Sequence, residues 1–172
     1  MQLRITHLVV VTAAVCAAAA ATVAYASPAS SIQRFTLTAK TVEGKDSPTR
    51  VTAAGPIRGV GTVQIKSSKN TRVDHMTLQL ADGTVRLVAI EKSYAVHPNL
   101  RKCLATTVGH GIFTIEGGTN AFRRVSGHGT YERSGVLIGA RSANGTCLAS
   151  KAQPTSTSIT VVMTGKAALN SP

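Results

Sequence analysis

Asp74 and Glu91 are the two carboxylates of this chain whose placement could do chemistry. Asp82-Gly83 lies between two alternating apolar runs, the pattern of a β-hairpin with a two-residue turn. That turn pairs Ala81 with Thr84, then sets Leu80 against Val85, Leu78 against Leu87 and Met76 against Ala89, all apolar on one face. Continued, it sets Asp74 against Glu91 on the same inward face, with Cβ atoms about 5 Å apart. Like charges that close split their pKa values, one being raised, which suits acid–base work or cation binding. The structural alternative is a pair neutralised by an Arg, or strands that have already splayed there. His75 falls on the outward face, opposite Ile90.

Other polar features carry less. His110 and His128 sit on two long strands with no further ligand placed beside them, so surface or core packing is the reading. No metal site and no cofactor are predicted. Gly117-Gly118-Thr119 lacks the following helix and Lys-Ser/Thr of a phosphate loop. No Gly-x-Ser-x-Gly elbow or Cys/His pair argues for a covalent nucleophile. Asn144-Gly145-Thr146 is a glycosylation sequon, meaningful only in a host with that machinery. The 19 Lys and Arg against 7 Asp and Glu give a formal net charge of +12, suited to an anionic envelope polymer or lipid head groups. Only Arg101-Lys102 and Arg123-Arg124 are adjacent basic pairs, and Phe35, Tyr94, Phe113, Phe122 and Tyr131 are too few for a base-stacking platform. No specific nucleic-acid partner is expected.

The elements that must position these residues start after a leader. Arg4 supplies positive charge, Leu8 to Ala21 is apolar, and Ala24-Tyr25-Ala26 is a small-x-small cleavage site followed by Ser27 and Pro28. These are the three parts of a secretory signal, so residues 1–26 are expected to be removed and the protein secreted. A retained anchor would need a longer, less Ala-rich run. A lipid-modified Cys16 would need a small residue before it rather than Val15. Removal of 26 of the 172 residues leaves 146, enough for one domain at 27–172. It also leaves Cys103 and Cys147, an even pair that outside the cytosol reads as a disulfide.

Beyond the leader, helical periodicity is nearly absent and period-2 alternation recurs. Strands are predicted over 35–41, 59–66, 71–80, 84–92, 104–116, 125–141 and 158–167. Residues 45–56 read as loop with room for a short strand, and 93–102 and 142–156 read as loops. Strands joined in sequence without intervening helices imply an all-β fold, an antiparallel up-and-down β-barrel of about eight strands, or alternatively a β-sandwich. In the barrel, Cys103 just precedes one long strand and Cys147 just follows the next, so both lie at one rim. The meander and the disulfide support each other.

The segment Glu116-Gly-Gly-Thr-Asn-Ala-Phe-Arg-Arg-Val-Ser-Gly-His-Gly-Thr-Tyr131 resembles the glycine-rich hairpin of the allene oxide cyclase and dirigent-like barrels. There a Gly-Gly-Thr-x-x-Phe turn leads into a Ser-Gly-x-Gly-x-Tyr strand. Gly55-Pro56-Ile57-Arg58-Gly59-Val60-Gly61-Thr62 is similar to an early glycine strand of the same group. The resemblance spans about residues 32 to 168, and the Ala-rich leader resembles those of small secreted proteins of actinobacteria. It implies an eight-stranded barrel with a central cavity. Plant members of that group cyclise an unsaturated epoxide or steer radical coupling, and no catalytic residue of either matches this chain.

Three functions follow as expectations. One is a secreted barrel binding a small hydrophobic or phenolic ligand in its lumen. Another is a cyclase- or dirigent-like isomerase using Asp74 and Glu91. A third is a structural or inhibitory protein acting through its basic surface. The oligomeric state is not specified by any of these features.

Overall fold

A computed structural model describes residues 30–68, 72–148 and 154–169. The leader at 1–26 lies outside the described residues. The strands are β1 (Ser31–Val42), β2 (Lys45–Asp46), β3 (Arg50–Ala54), β4 (Gly59–Ser67), β5 (Val73–Leu80), β6 (Gly83–Asn99), β7 (Leu104–Gly118), β8 (Val125–Ile138) and β9 (Ser156–Leu169). Each strand from β3 to β9 pairs antiparallel with the next, and β1 pairs with both β3 and β9. This closes an eight-stranded antiparallel barrel, with the two-residue β2 as an added strand beside the end of β1. Closure pairs each of these eight strands on both sides over part or all of its length, which limits the edge an all-β chain exposes.

The alternation read from the sequence places the core. β1 buries Gln33, Phe35 and Leu37, β5 buries Met76, Leu78 and Leu80, and β7 buries Phe113 and Ile115. Phe35 and Phe113 meet edge to face across the lumen, with centroids 6.2 Å apart. Together with Ile57 and Phe122 they fill one end of the barrel. Gln33 is fully buried and clamps the loop after β3: its Oε1 accepts from Ile57 N–H at 2.8 Å, and its Nε2 donates to Ile57 O at 2.9 Å.

Glycines on the inner face of β7 and β8 leave room for the large side chains facing them. Tyr131 pairs with Gly111 and Phe113 with Gly129. A Cβ at Gly111 would lie 2.4 Å from the Tyr131 ring, and one at Gly129 would lie 2.7 Å from the Phe113 ring. Each ring therefore packs directly over the glycine of the neighbouring strand, a close approach only glycine permits.

Two expectations are corrected. The β5–β6 turn is Ala81-Asp82, not Asp82-Gly83; Leu80 pairs with Gly83 and Leu78 with Val85. Gly83 is already a strand residue, at φ +142°, and its Cα packs so close to Thr119 that an added Cβ would lie 2.4 Å from Thr119 O. The register is thus offset by two residues from the expected one. The second correction concerns 93–102, read as a loop. β6 continues through Asn99, pairing His97 with Thr106 and Pro98 with Ala105, after an irregularity between Glu91 and Ser93 that shifts the inward parity. Pro98 is tolerated because this stretch of β6 pairs with β7 alone. The expected short strand within 45–56 is present as β3.

Cys103 and Cys147 form a disulfide with Cα atoms 5.3 Å apart, at the rim where β6 turns into β7. Gly139 N–H donates to Cys103 O at 2.7 Å and fastens the segment after β8 to the same turn.

Candidate functional site

The end of the barrel away from the Phe35–Phe113 contact is open. A cavity of about 200 Å³ is lined by residues of β1, β4, β5, β8 and β9, with Thr49 just ahead of β3. Leu37, Ile65, Met76, Val161 and Met163 make most of its wall apolar. The alternation brings them there: Val63 and Ile65 point inward as the sequence pattern indicated, Val63 buried and Ile65 half exposed at the mouth.

The polar wall is Ser67, Asp74, Tyr131 and Arg133. Asp74 pairs with Ala89, not with Glu91, because of the two-residue register offset. A shift of two preserves the face, so Asp74 and Glu91 both still point inward. Ser67, opposite Asp74 on β4, donates from its hydroxyl to Asp74 Oδ1 at 2.5 Å. Glu91 pairs with Gly111, and its N–H donates to Arg72 O at 2.8 Å. Its side chain leans over Gly109, where an added Cβ would be 3.2 Å from Glu91 Oε1.

Arg133, opposite Gly109, reaches the same place from β8. Its guanidinium is 3.8 Å from Glu91 Oε1 and lies 5.4 Å from the Tyr94 ring centroid. Both ion-pair partners keep some solvent contact, so the long contact is worth under about 1 kcal/mol. Arg133 Nε is buried without a hydrogen-bond partner among the described residues.

Tyr131 completes the wall between Arg133 and Phe113. Burial pushes its phenol up to about 12; the carboxylates of Glu91 and then Asp74 add to the rise, and Arg133 opposes it. The phenol therefore stays a neutral O–H donor across the physiological range. The arrangement offers an apolar chamber with a phenol and a guanidinium as donors and a carboxylate as acceptor.

Asp74 lines the chamber and Glu91 does not; both carboxylates act on Tyr131, but they are not a directly opposed pair, and each has its own neighbour. His75 is exposed, pairing with Val88 rather than Ile90. His110 and His128 are exposed on the outer face, and no group of three or more His, Cys, Asp or Glu among the described residues could hold a metal. Tyr131, Arg133, Ser67 and Tyr94 were not singled out from the sequence. The available signal was the inner glycine pair Gly109 and Gly111, which marks where large side chains from β8 must lie. Searches for similar proteins found no matching family model, and neither curated proteins nor solved structures gave a match.

Proposed function

We propose that the protein is an exported barrel that binds a small hydrophobic or phenolic ligand at the open end of its lumen. The observation that carries this is the cavity itself, an apolar chamber with Tyr131, Arg133 and Asp74 along one side. Such a combination, mostly apolar with a few convergent polar groups, is the usual form of a small-molecule site. A ligand hydroxyl or carbonyl would accept from the Arg133 guanidinium and the Tyr131 phenol, and a ligand hydroxyl could donate to Asp74. Export rests on the leader-like segment 1–26 and is supported by the Cys103–Cys147 disulfide, a bond that persists in oxidising compartments. The closed barrel is the architecture implied by the resemblance to allene oxide cyclase and dirigent-like proteins, and kinship with them remains part of this proposal.

A second reading, an enzyme of the cyclase or dirigent kind, is favoured by the influence of both Asp74 and Glu91 on the chamber's Tyr131. It is the weaker of the two, because Ser67 holds Asp74 and Arg133 faces Glu91.

The test is native mass spectrometry of protein purified from its producing host. A bound small molecule is expected on the wild type and not on Val161→Trp, whose indole would occupy the chamber. A wild-type mass without adduct, and no uptake of host metabolite extract, would count against a ligand-binding barrel.

A further inference from the structure

The disulfide rim carries a second surface, separate from the lumen. From Ser93 to Asn99, β6 pairs with β7 alone while β7 stays paired with β8, so this edge of the barrel wall rises beyond the end of β5 as an arm. Its tip is a tight turn: Lys102 N–H donates to Asn99 O and Asn99 Oδ1, and Cys103 sits at φ +52°. The disulfide and the Gly139 hydrogen bond tie this tip to the segment after β8. The tip is thus rigidly built, yet it holds apolar side chains in water. Leu100 is 63% exposed and Leu148 46% exposed, and between them runs an apolar groove of about 190 Å³ floored by Pro98, Leu104 and Leu137.

The charge around these residues has one sign. Arg101, Lys102 and Arg141 are all exposed, and no Asp or Glu occurs in residues 93–112 or 134–155. Glu91 and Glu132 lie at the base of the arm, two residues before Ser93 and opposite His110, while Glu43 and Asp46 at the β1–β2 hairpin are accompanied there by Lys40 and Lys45. An apolar tip ringed by cations fits a surface that is itself apolar beneath a layer of negative charge. We propose that this arm docks on an anionic lipid bilayer. Leu100 and Leu148 enter the acyl boundary, and Arg101, Lys102 and Arg141 meet lipid phosphates. Stable attachment needs both signals, since either apolar insertion or charge alone is marginal. A soluble polyanion would engage the same cations but would gain nothing from the two leucines.

The barrel closure and core lie entirely within residues 30–169, so the chain lacking residues 1–26 is the protein to test. Its co-sedimentation with phosphatidylcholine vesicles is compared with and without phosphatidylglycerol. Binding is expected only to the anionic vesicles and should weaken with added salt. Leu100→Asp changes an exposed side chain, so folding is retained, and affinity should fall about tenfold or more. Arg101→Glu with Lys102→Glu should cost about 25-fold, taking roughly fivefold for each basic residue. Lys66→Glu, exposed on β4 outside the arm, is the charge-matched control for either single reversal, Arg101→Glu or Lys102→Glu, and should have little effect where each of those costs roughly fivefold. Wild type that ignores anionic vesicles overturns the proposal. So does Leu100→Asp binding as wild type does, which would leave a purely electrostatic polyanion contact. Equal losses for Lys66→Glu and the arm variants would show general charge attraction instead of a docking tip.

Discussion

The Tyr131 phenol is the most sensitive reporter of the site. It is buried on the inner wall with Glu91 and Asp74 nearby, and its pKa is raised from 10 to about 12. Two units correspond to at most about 2.7 kcal/mol between the neutral and ionised forms. The sign follows from the raised folded value: the neutral phenol's contribution is fully present below pH 10 and is lost as pH climbs from 10 through 12. The assay is alkaline difference absorbance of wild type minus Tyr131→Phe, which isolates this one ring. Its midpoint should lie near 12, or ionisation should coincide with unfolding in that window. Glu91→Gln and Asp74→Asn should each lower the midpoint, the former more. Because burial is the largest cause, the pair together should not restore 10. Arg133→Gln should raise it. A Tyr131 that ionises near 10 in an intact barrel, or carboxylate variants that leave it unmoved, would refute the wall as described.

Three further outcomes follow from the packing. Replacing Cys103 and Cys147 by Ser opens a covalent loop with a sequence separation of 44, which should cost about 4 kcal/mol in denaturant unfolding on the chain-entropy model. Gln33→Ala strips both bonds from buried Ile57 and should cost roughly 2 to 4 kcal/mol, while Gln79→Ala on the exposed face should stay within about 0.5 kcal/mol. Gly129→Val would drive a Cβ to 2.3 Å from Thr164 O and 2.7 Å from the Phe113 ring, so its thermal midpoint should fall by a loss of about 1 to 3 kcal/mol or more.

Much of the fold was legible because period-2 alternation is a strong signal in a chain with almost no helical pattern. The rim position of Cys103 and Cys147 followed from strand order alone. The same periodicity explains the principal error. Alternation distinguishes one face from the other, so a one-residue slip is excluded, but a two-residue slip leaves every apolar side chain inside. In the observed register Gly83 packs against Thr119, a long-range packing fact invisible in the local pattern. Asp74 and Glu91 were therefore assigned to the right face and the wrong pairing. The loop reading of 93–102 failed for a related reason: the irregularity after Glu91 flips inward parity, so Tyr94, Val96 and Pro98 no longer continue the alternation set by Val85, Leu87 and Ala89. In the sequence Tyr131 reads only as the end of the glycine-rich motif, and Arg133, between Glu132 and Ser134, has no distinctive local context. Only the pairing of β7 with β8 shows that Gly111 and Gly109 receive them.

The central claim is that the open end of the lumen takes up a small apolar molecule. Met76 and Met163 both line that chamber, and the only other methionine is Met1. Carbon-13 methyl spectra of the chain lacking residues 1–26 therefore report the chamber with two resonances. On titration with 2-naphthol, both should shift and saturate together in wild type and stay still in Val161→Trp. Two unmoved resonances in wild type, or equal shifts in the filled variant, would contradict a ligand-binding lumen.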